Sequence, residues 1–258
     1  AELSLIPIET ALISVDTTRH ENLDSLMKAM IKADSNYKYS VAWVDALHKE
    51  NRGVLTCGEH ANINQLNNVQ KKNPLNFDPK AFASTPQFFP GGFLNKLTVK
   101  AFNEAWYRKA PLDKKGEIQD ITQFFYPLDG IMDWNRIYGP RGFIQYQFAV
   151  PDENAYLVKK SLSDLKKIGA PIFLTVLKRF GAKTPSPLSF PIPGWTLAID
   201  IPSSVKGLRE TLDKLDEEVI KCSGKVYLAK DSRLSKVNFE KMYPSFEADT
   251  SFNTPLGI

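Results

Sequence analysis

A chain of 258 residues is long enough to bury a sizeable core and to form one large or two small domains. With 43% hydrophobic and 24% charged residues and no low-complexity tract, its composition is that of an ordinary globular protein. The net charge of +4 is too small to argue for nucleic acid, and Cys57 and Cys222 are too far apart for a C-x-x-C pair or a zinc spacing, which leaves two buried free thiols. No apolar run is long enough to span a bilayer, and the start carries no signal peptide. The chain opens on Ala1 rather than an initiator Met, as a processed protein or a piece of a longer one would.

Leu3 to Ser14 reads as a β-branched strand interrupted by Pro7. A helix follows to about Lys32, with Leu23, Leu26, Met27, Met30 and Ile31 at helical spacing and Asn22 as its N-cap. Tyr37 to Leu47 alternates as a strand, with Tyr39, Val41, Trp43 and Asp45 on one side, and Gly53 to Glu59 reads as its hairpin partner. Residues 61–96 are rich in Asn and Pro, carry the turn signal Phe88-Phe89-Pro90-Gly91-Gly92, and read as a long insertion. Leu94 to Arg108 is expected to be helical, Pro111 to Gly116 a charged turn, Ile121 to Tyr126 a strand and Pro127 to Arg141 a loop.

The clearest architecture follows. Strand 143–150 ends in Val150-Pro151-Asp152, and the next helix carries Val158, Leu162 and Leu165 before Gly169. Strands 172–180 and 195–201 come next. A helix with Val205, Leu208, Leu212, Leu215 and Val219 at 3-4-3-4 spacing ends near Gly224, and strand 225–229 closes the set. The economical packing is an α+β fold: an antiparallel sheet with helices on one face, containing a split βαββαβ, ferredoxin-like unit.

Alternation then assigns the open face of that sheet. Ile144, Tyr146, Phe148 and Val150 take one side of the first strand, and Gln145 and Gln147 the other. In strand 195–201 the bulky Trp195, Leu197, Ile199 and Ile201 should face the helices, leaving Thr196, Ala198 and Asp200 opposite. The resulting concave patch comprises Gln145, Gln147, Val176, Lys178, Phe180, Thr196 and Ala198. On pattern alone, the glutamines facing water and Lys178 being a solvated lysine is the larger share of the expectation. Lys230, after the last strand, can reach a cleft and stabilise a developing anion, or pair with Asp231. Arg136, beside Trp134 and Asn135, can fork onto a phosphate or pair with Asp133. His20, His48 and His60 have no partners at catalytic or metal spacing, and no G-x-G-x-x-G, P-loop or G-x-S-x-G is present.

Together Phe125-Tyr126-Pro127-Leu128-Asp129, Trp134-Asn135-Arg136-x-Tyr138-Gly139-Pro140, Gly142-Phe143-x-Gln145-Tyr146-Gln147-Phe148, Pro187-Leu188-Ser189-Phe190-Pro191-x-Pro193-Gly194-Trp195 and Tyr227-x-Ala229-Lys230-Asp231-Ser232-Arg233 resemble the decaprenylphosphoryl-β-D-ribose 2-oxidase family of FAD-linked oxidases. The likeness runs from about Ser4 to Pro244. It implies a flavoenzyme of the vanillyl-alcohol-oxidase type whose FAD is held mostly by a half absent from this sequence. Residues 1–10 would then leave the flavin domain, 11–225 form the substrate-binding cap, and 226–258 return to the flavin domain.

In such a family a hydride passes from a sugar carbon to flavin while a base takes the hydroxyl proton. The resemblance places Lys230 at the flavin as the candidate base, with Tyr227 beside it. It places Gln145, Gln147, Lys178, Phe180, Asn135, Arg136 and Trp43 in or around the substrate pocket. It implies a sugar or sugar-lipid substrate, a short-chain reductase acting on the keto product, and a cytoplasmic location or peripheral contact with a membrane. The sequence departs from mycobacterial members at Ala198, where they have Cys, and at Thr196, where they have Asn, so the pocket's ligand set should differ. The segment after Tyr243-Pro244 is shorter than the family's. The rival readings are an aldonolactone oxidase and a stand-alone sugar- or lipid-binding module; the chain by itself is expected to be inactive.

Overall fold

A computed structural model describes residues 5–78, 83–86, 94–128, 130–231 and 233–246. The chain divides into two compact units, Ala1–Gly142 and Phe143–Ile258.

The first unit runs β1 (Leu12–His20), α1 (Leu23–Ala33), β2 (Tyr39–Val44), β3 (Gly53–His60), β4 (Ala83–Ser84), α2 (Lys96–Lys109), β5 (Asp113–Asp120), α3 (Ile121–Phe125) and β6 (Ile131–Met132). Its main sheet has the order β2-β3-β1-β5 with antiparallel neighbours, and β4 pairs with β6 separately. Asn22 caps α1 as its sequence predicts, its Oδ1 accepting from Ser25 N at 2.8 Å. Leu23, Leu26 and Met30 fill the helix's buried stripe.

Three expectations fail in this unit. The first strand begins at Leu12, not Leu3, and residues 5–10 lie outside any strand. The charged stretch expected to turn is the start of β5, a polar edge strand that pairs with β1 through a register shift between Val15 and Thr17. Ile121–Phe125, expected to be extended, is a short helix because Asp120 accepts from Gln123 N at 2.7 Å and starts it. Phe124 then packs on Ile13 and Val15. The turn signal at 88–92 lies outside the described residues.

The second unit runs β7 (Phe143–Val150), α4 (Tyr156–Lys167), β8 (Thr175–Phe180), β9 (Gly194–Pro202), α5 (Leu208–Lys221), β10 (Lys225–Val226) and α6 (Lys236–Met242). Its strands lie in the order β10-β7-β9-β8, each antiparallel to its neighbour, which is the split βαββαβ order expected from the sequence. The first unit follows the same succession, β1-α1-β2-β3-α2-β5, with the corresponding strand order; nothing in the sequence pattern announced that repetition.

The core of the second unit is the bulky face of its sheet. Tyr146, Phe148, Trp195, Leu197 and Ile199 are all 2% exposed or less, under the stripes Val158-Leu162-Leu165 and Leu208-Leu212-Leu215-Val219. Gly194 starts β9 at φ +139, and a Cβ there would stand 2.3 Å from Val150 O. Gly194→Ala is therefore expected to cost about 3 kcal/mol, read as a lower denaturation midpoint with an unchanged slope.

Candidate functional site

The face of the second unit's sheet opposite α4 and α5 holds a cavity of about 130 Å³. β7 contributes Gln145 and Gln147, β8 contributes Val176 and Lys178, and β9 contributes Thr196, Ala198 and Asp200; Leu174 and Lys230 complete the wall. The strand register explains the grouping: Gln147 and Val176 both stand opposite Ala198, and Lys178 stands opposite Thr196. With period-2 alternation these side chains project together, and the small Ala198 at the centre leaves the room.

The polar groups are ordered among themselves. Gln145 donates from Nε2 to Asp200 Oδ1 at 2.7 Å, and Gln147 donates from Nε2 to Thr196 Oγ1 at 3.0 Å. A carboxylate only accepts, so the first contact fixes the Gln145 amide and leaves its Oε1 as the acceptor that can meet a ligand hydroxyl. Asp200 is 1% exposed, and its backbone N–H bonds to Leu174 O at 3.0 Å.

Two cations share this space. Neither Lys178 nor Lys230 makes an ion pair among the described residues. Lys178 presents much of its surface to solvent, but the protein around its ammonium lowers its pKa by desolvation. Lys230 is lowered first by desolvation and also by the charge of Lys178, while Asp200 opposes the shift. The cavity therefore sets two ammonium groups against one buried carboxylate, an arrangement that suits a ligand bearing or developing negative charge.

Lys230 closes a 3₁₀ turn, Leu228–Lys230, rather than ending a strand, because β10 stops at Val226. That turn is held at its start, through Tyr227. Tyr227 N bonds to Gln147 O at 2.8 Å, and Tyr227 stacks on Phe190 with ring centres 4.6 Å apart. Phe190 belongs to a segment fastened by Lys225, whose Nζ donates to Ser189 O at 2.5 Å.

Seven of the residues singled out in the sequence thus surround one cavity: Gln145, Gln147, Val176, Lys178, Thr196, Ala198 and Lys230. Phe180 does not line it. It follows Lys178 on the same face of β8 but packs edge-on against Phe190, 5.5 Å between ring centres, beside Ala149 and Ile192. Tyr227 packs against the same cluster. Trp43, Asn135 and Arg136 belong to the first unit. Trp43 stands in β2 opposite Val54, and Asn135 and Arg136 lie in the 3₁₀ turn Trp134–Tyr138. Arg136 takes the plainer of its two expected roles: Nη1 lies 2.9 Å from Asp133 and donates to Thr85 O at 3.2 Å.

Leu174 and Asp200 line the cavity but were not counted in the patch; both were legible by alternation, Asp200 continuing Thr196-Ala198 and Leu174 continuing the row of Val176 and Lys178, although Leu174 itself precedes the first residue of β8. Among the described residues no group of three His, Cys, Asp or Glu could hold a metal ion, and no helix is long and apolar enough to cross a membrane.

No family model matches the chain. It is 39% identical over 251 residues to decaprenylphosphoryl-β-D-ribose oxidase of Mycolicibacterium smegmatis, a match covering 96% of this chain and 54% of that protein. It is 30% identical over 254 residues to an uncharacterised Streptomyces coelicolor protein described by its position in the mprA 5′ region, covering 95% of this chain and 68% of that one. The chain thus spans about half the length of the first relative and about two thirds of the second.

Proposed function

Because the chain belongs to the family of decaprenylphosphoryl-β-D-ribose oxidase, we propose that it is the substrate-binding part of an FAD-dependent oxidoreductase that oxidises a sugar hydroxyl, with a polyprenylphosphoryl-ribose or a related sugar as substrate. The observation that carries this reading is the cavity itself: two lysines without an ion pair among the described residues, a buried carboxylate and two ordered glutamines on one open sheet face.

The donor set fits one edge of a flavin and no more. Lys230, once its amine has taken a proton, would supply a cation where negative charge develops, and Tyr227 an aromatic surface three residues before it, but the described residues offer no glycine-rich cradle for a dinucleotide's pyrophosphate. FAD would accordingly be held mostly by sequence outside this chain. When bound it supplies the hydride acceptor.

This chain's own residues perform the rest. Gln145 Oε1 and the Gln147–Thr196 pair orient sugar hydroxyls over Ala198. Lys178 attracts the substrate's negative charge, and Lys230 takes the hydroxyl proton on its amine. Desolvation favours that role, because a lowered pKa makes the neutral amine available at lower pH. The keto product is the kind of compound a short-chain reductase consumes.

The pH dependence follows from these shifts. Turnover should rise as pH rises through the lowered pKa of Lys230, then decline as Lys178 loses the charge that holds an anionic substrate. Asp200 opposes the lowering of Lys230, so Asp200→Asn should move the rising limb of the kcat profile to lower pH. A limb that stays in place would remove Lys230 as the titrating group. The test of the function as a whole is oxidation of polyprenylphosphoryl-ribose by the natural reading frame carrying this chain. Turnover of an aldonolactone instead would favour the aldonolactone oxidase reading, and ligand binding without flavin would favour a non-catalytic module.

A further inference from the structure

Lys178 and Lys230 line one cavity, and among the described residues neither makes a side-chain hydrogen bond or an ion pair. The carboxylate beside them, Asp200, already accepts from Gln145 Nε2 at 2.7 Å. Two ammonium groups in a space of about 130 Å³ lose water together and repel each other, which favours the state with one of them neutral. Lys230 is the one that gives up its proton. Desolvation lowers its pKa and outweighs the opposing charge of Asp200, and the charge of Lys178 adds to the lowering. Lys178, the more exposed of the two, keeps its ammonium.

A neutral amine walled by protein is a nucleophile as well as a base, and the electrophile it meets most readily is a carbonyl carbon. The rest of the wall suits such a ligand. Thr196 Oγ1 accepts from Gln147 at 3.0 Å, and a hydroxyl that accepts still has its own proton to give, here to a carbonyl oxygen. Lys178 stands opposite Thr196 in the pairing of β8 with β9, so this donor and the remaining cation are neighbours. Gln145 keeps Oε1 for a ligand hydroxyl. Ala198, opposite both Gln147 and Val176, leaves the space between them. We infer that the cavity is a covalent site for a small hydroxylated aldehyde or ketone bearing an anionic group, with Lys230 Nζ attacking the carbonyl carbon and Lys178 holding the anion. A C–N bond forms, the carbonyl C–O bond breaks, and two protons of the amine leave with the oxygen as water. The product is an imine, and no oxidant or reductant is consumed. Water reverses the step.

The inference rests on the cavity and not on the oxidation proposed above, because an imine forms without flavin. Protein made from the natural reading frame is incubated near neutral pH with glyceraldehyde 3-phosphate and sodium cyanoborohydride, which reduces an imine to a stable amine. Peptide mass spectrometry then locates the adduct. Lys230 should be modified about tenfold faster than any exposed lysine. Glyceraldehyde without the phosphate should modify it about 10-fold to 100-fold more slowly, the contribution of a hydrogen bond to a charged group. Lys178→Met should erase that difference between the two aldehydes. Ala198→Leu, which fills the centre of the cavity and leaves Lys230 in place, should suppress the adduct while circular dichroism and Tm match the parent. Adducts spread evenly over the exposed lysines, a Lys230 adduct indifferent to the phosphate, or one that persists unchanged in both variants would each overturn the inference. A Lys230 adduct in a protein that binds no flavin would uphold it while removing the oxidoreductase reading.

Discussion

Replacing Lys230 with methionine in the full natural reading frame is expected to lower kcat by about 10²–10⁴-fold, the usual contribution of a positioned acid–base group, with KM changed far less. The side chain points into the cavity from a turn tied to β7 through Tyr227 N and Gln147 O, so its amine is held over the sheet and not left on a free loop. Desolvation lowers its pKa while Asp200 prevents a larger fall. Methionine keeps most of the stem and its packing, so the turn should survive and the loss should fall on chemistry. Lys178→Met makes the contrast: it removes a charge on the same wall that is not placed at the reacting proton, and it should raise KM more than it lowers kcat. Equal effects of the two substitutions on kcat would deny Lys230 its separate role.

Arg233→Met is expected to destabilise the second unit by about 3–5 kcal/mol, the cost of leaving a buried charge without its partner. The Arg233 side chain is 3% exposed. Its Nη1 lies 2.7 Å from Asp213, and its Nη2 lies 2.6 Å from Asp216 and donates to Leu212 O at 3.2 Å. Tyr146 donates to the other oxygen of Asp216 at 2.9 Å, and its ring lies 5.4 Å from the guanidinium. This network joins β7, α5 and the segment just after Lys230, so it also sets where that turn sits.

Burial raises Asp216 to about 6, against the pull of Arg233. A carboxyl whose folded pKa lies above its unfolded value binds more protons when folded between the two, so its contribution to stability is fully present below the unfolded pKa and lost as pH rises through the folded one. Without Arg233 the folded pKa climbs further. The variant's deficit should therefore be larger at about pH 8 than at about pH 5. Denaturant melts at the two pH values check both the size and the sign. Asp216→Leu added to Arg233→Met should recover part of the loss, because the stranded carboxylate is gone.

The sequence disclosed the second unit far better than the first, and for a physical reason. In β7 and β9 one face is buried apart from Ile144 and the other lines a cavity, so the alternation of bulky and small or polar side chains is clear, and Gln145, Gln147, Thr196 and Ala198 could be assigned a face from the sequence. β5 is an edge strand of polar residues, Asp113 to Asp120, with no period to read. Ile121 to Tyr126 was expected to be a strand, but one carboxylate cap, Asp120, starts the helix α3 there. The Arg233–Asp216–Tyr146 network was invisible because its members are 17 and 70 residues apart, and only the packing of α5 on β7 brings them together. The cavity's third charged group, Asp200, was on the correct face by alternation; its significance emerges from the Gln145 contact and its action on Lys230.

The most direct measurement is the anaerobic absorption spectrum of the protein made from its natural reading frame, before and after addition of polyprenylphosphoryl-ribose. The account predicts bound flavin that the sugar lipid bleaches in the parent, bleaches far more slowly in Lys230→Met, and bleaches at ordinary speed but with weaker saturation in Lys178→Met. A protein without flavin, or a flavin bleached equally fast with and without Lys230, would contradict it.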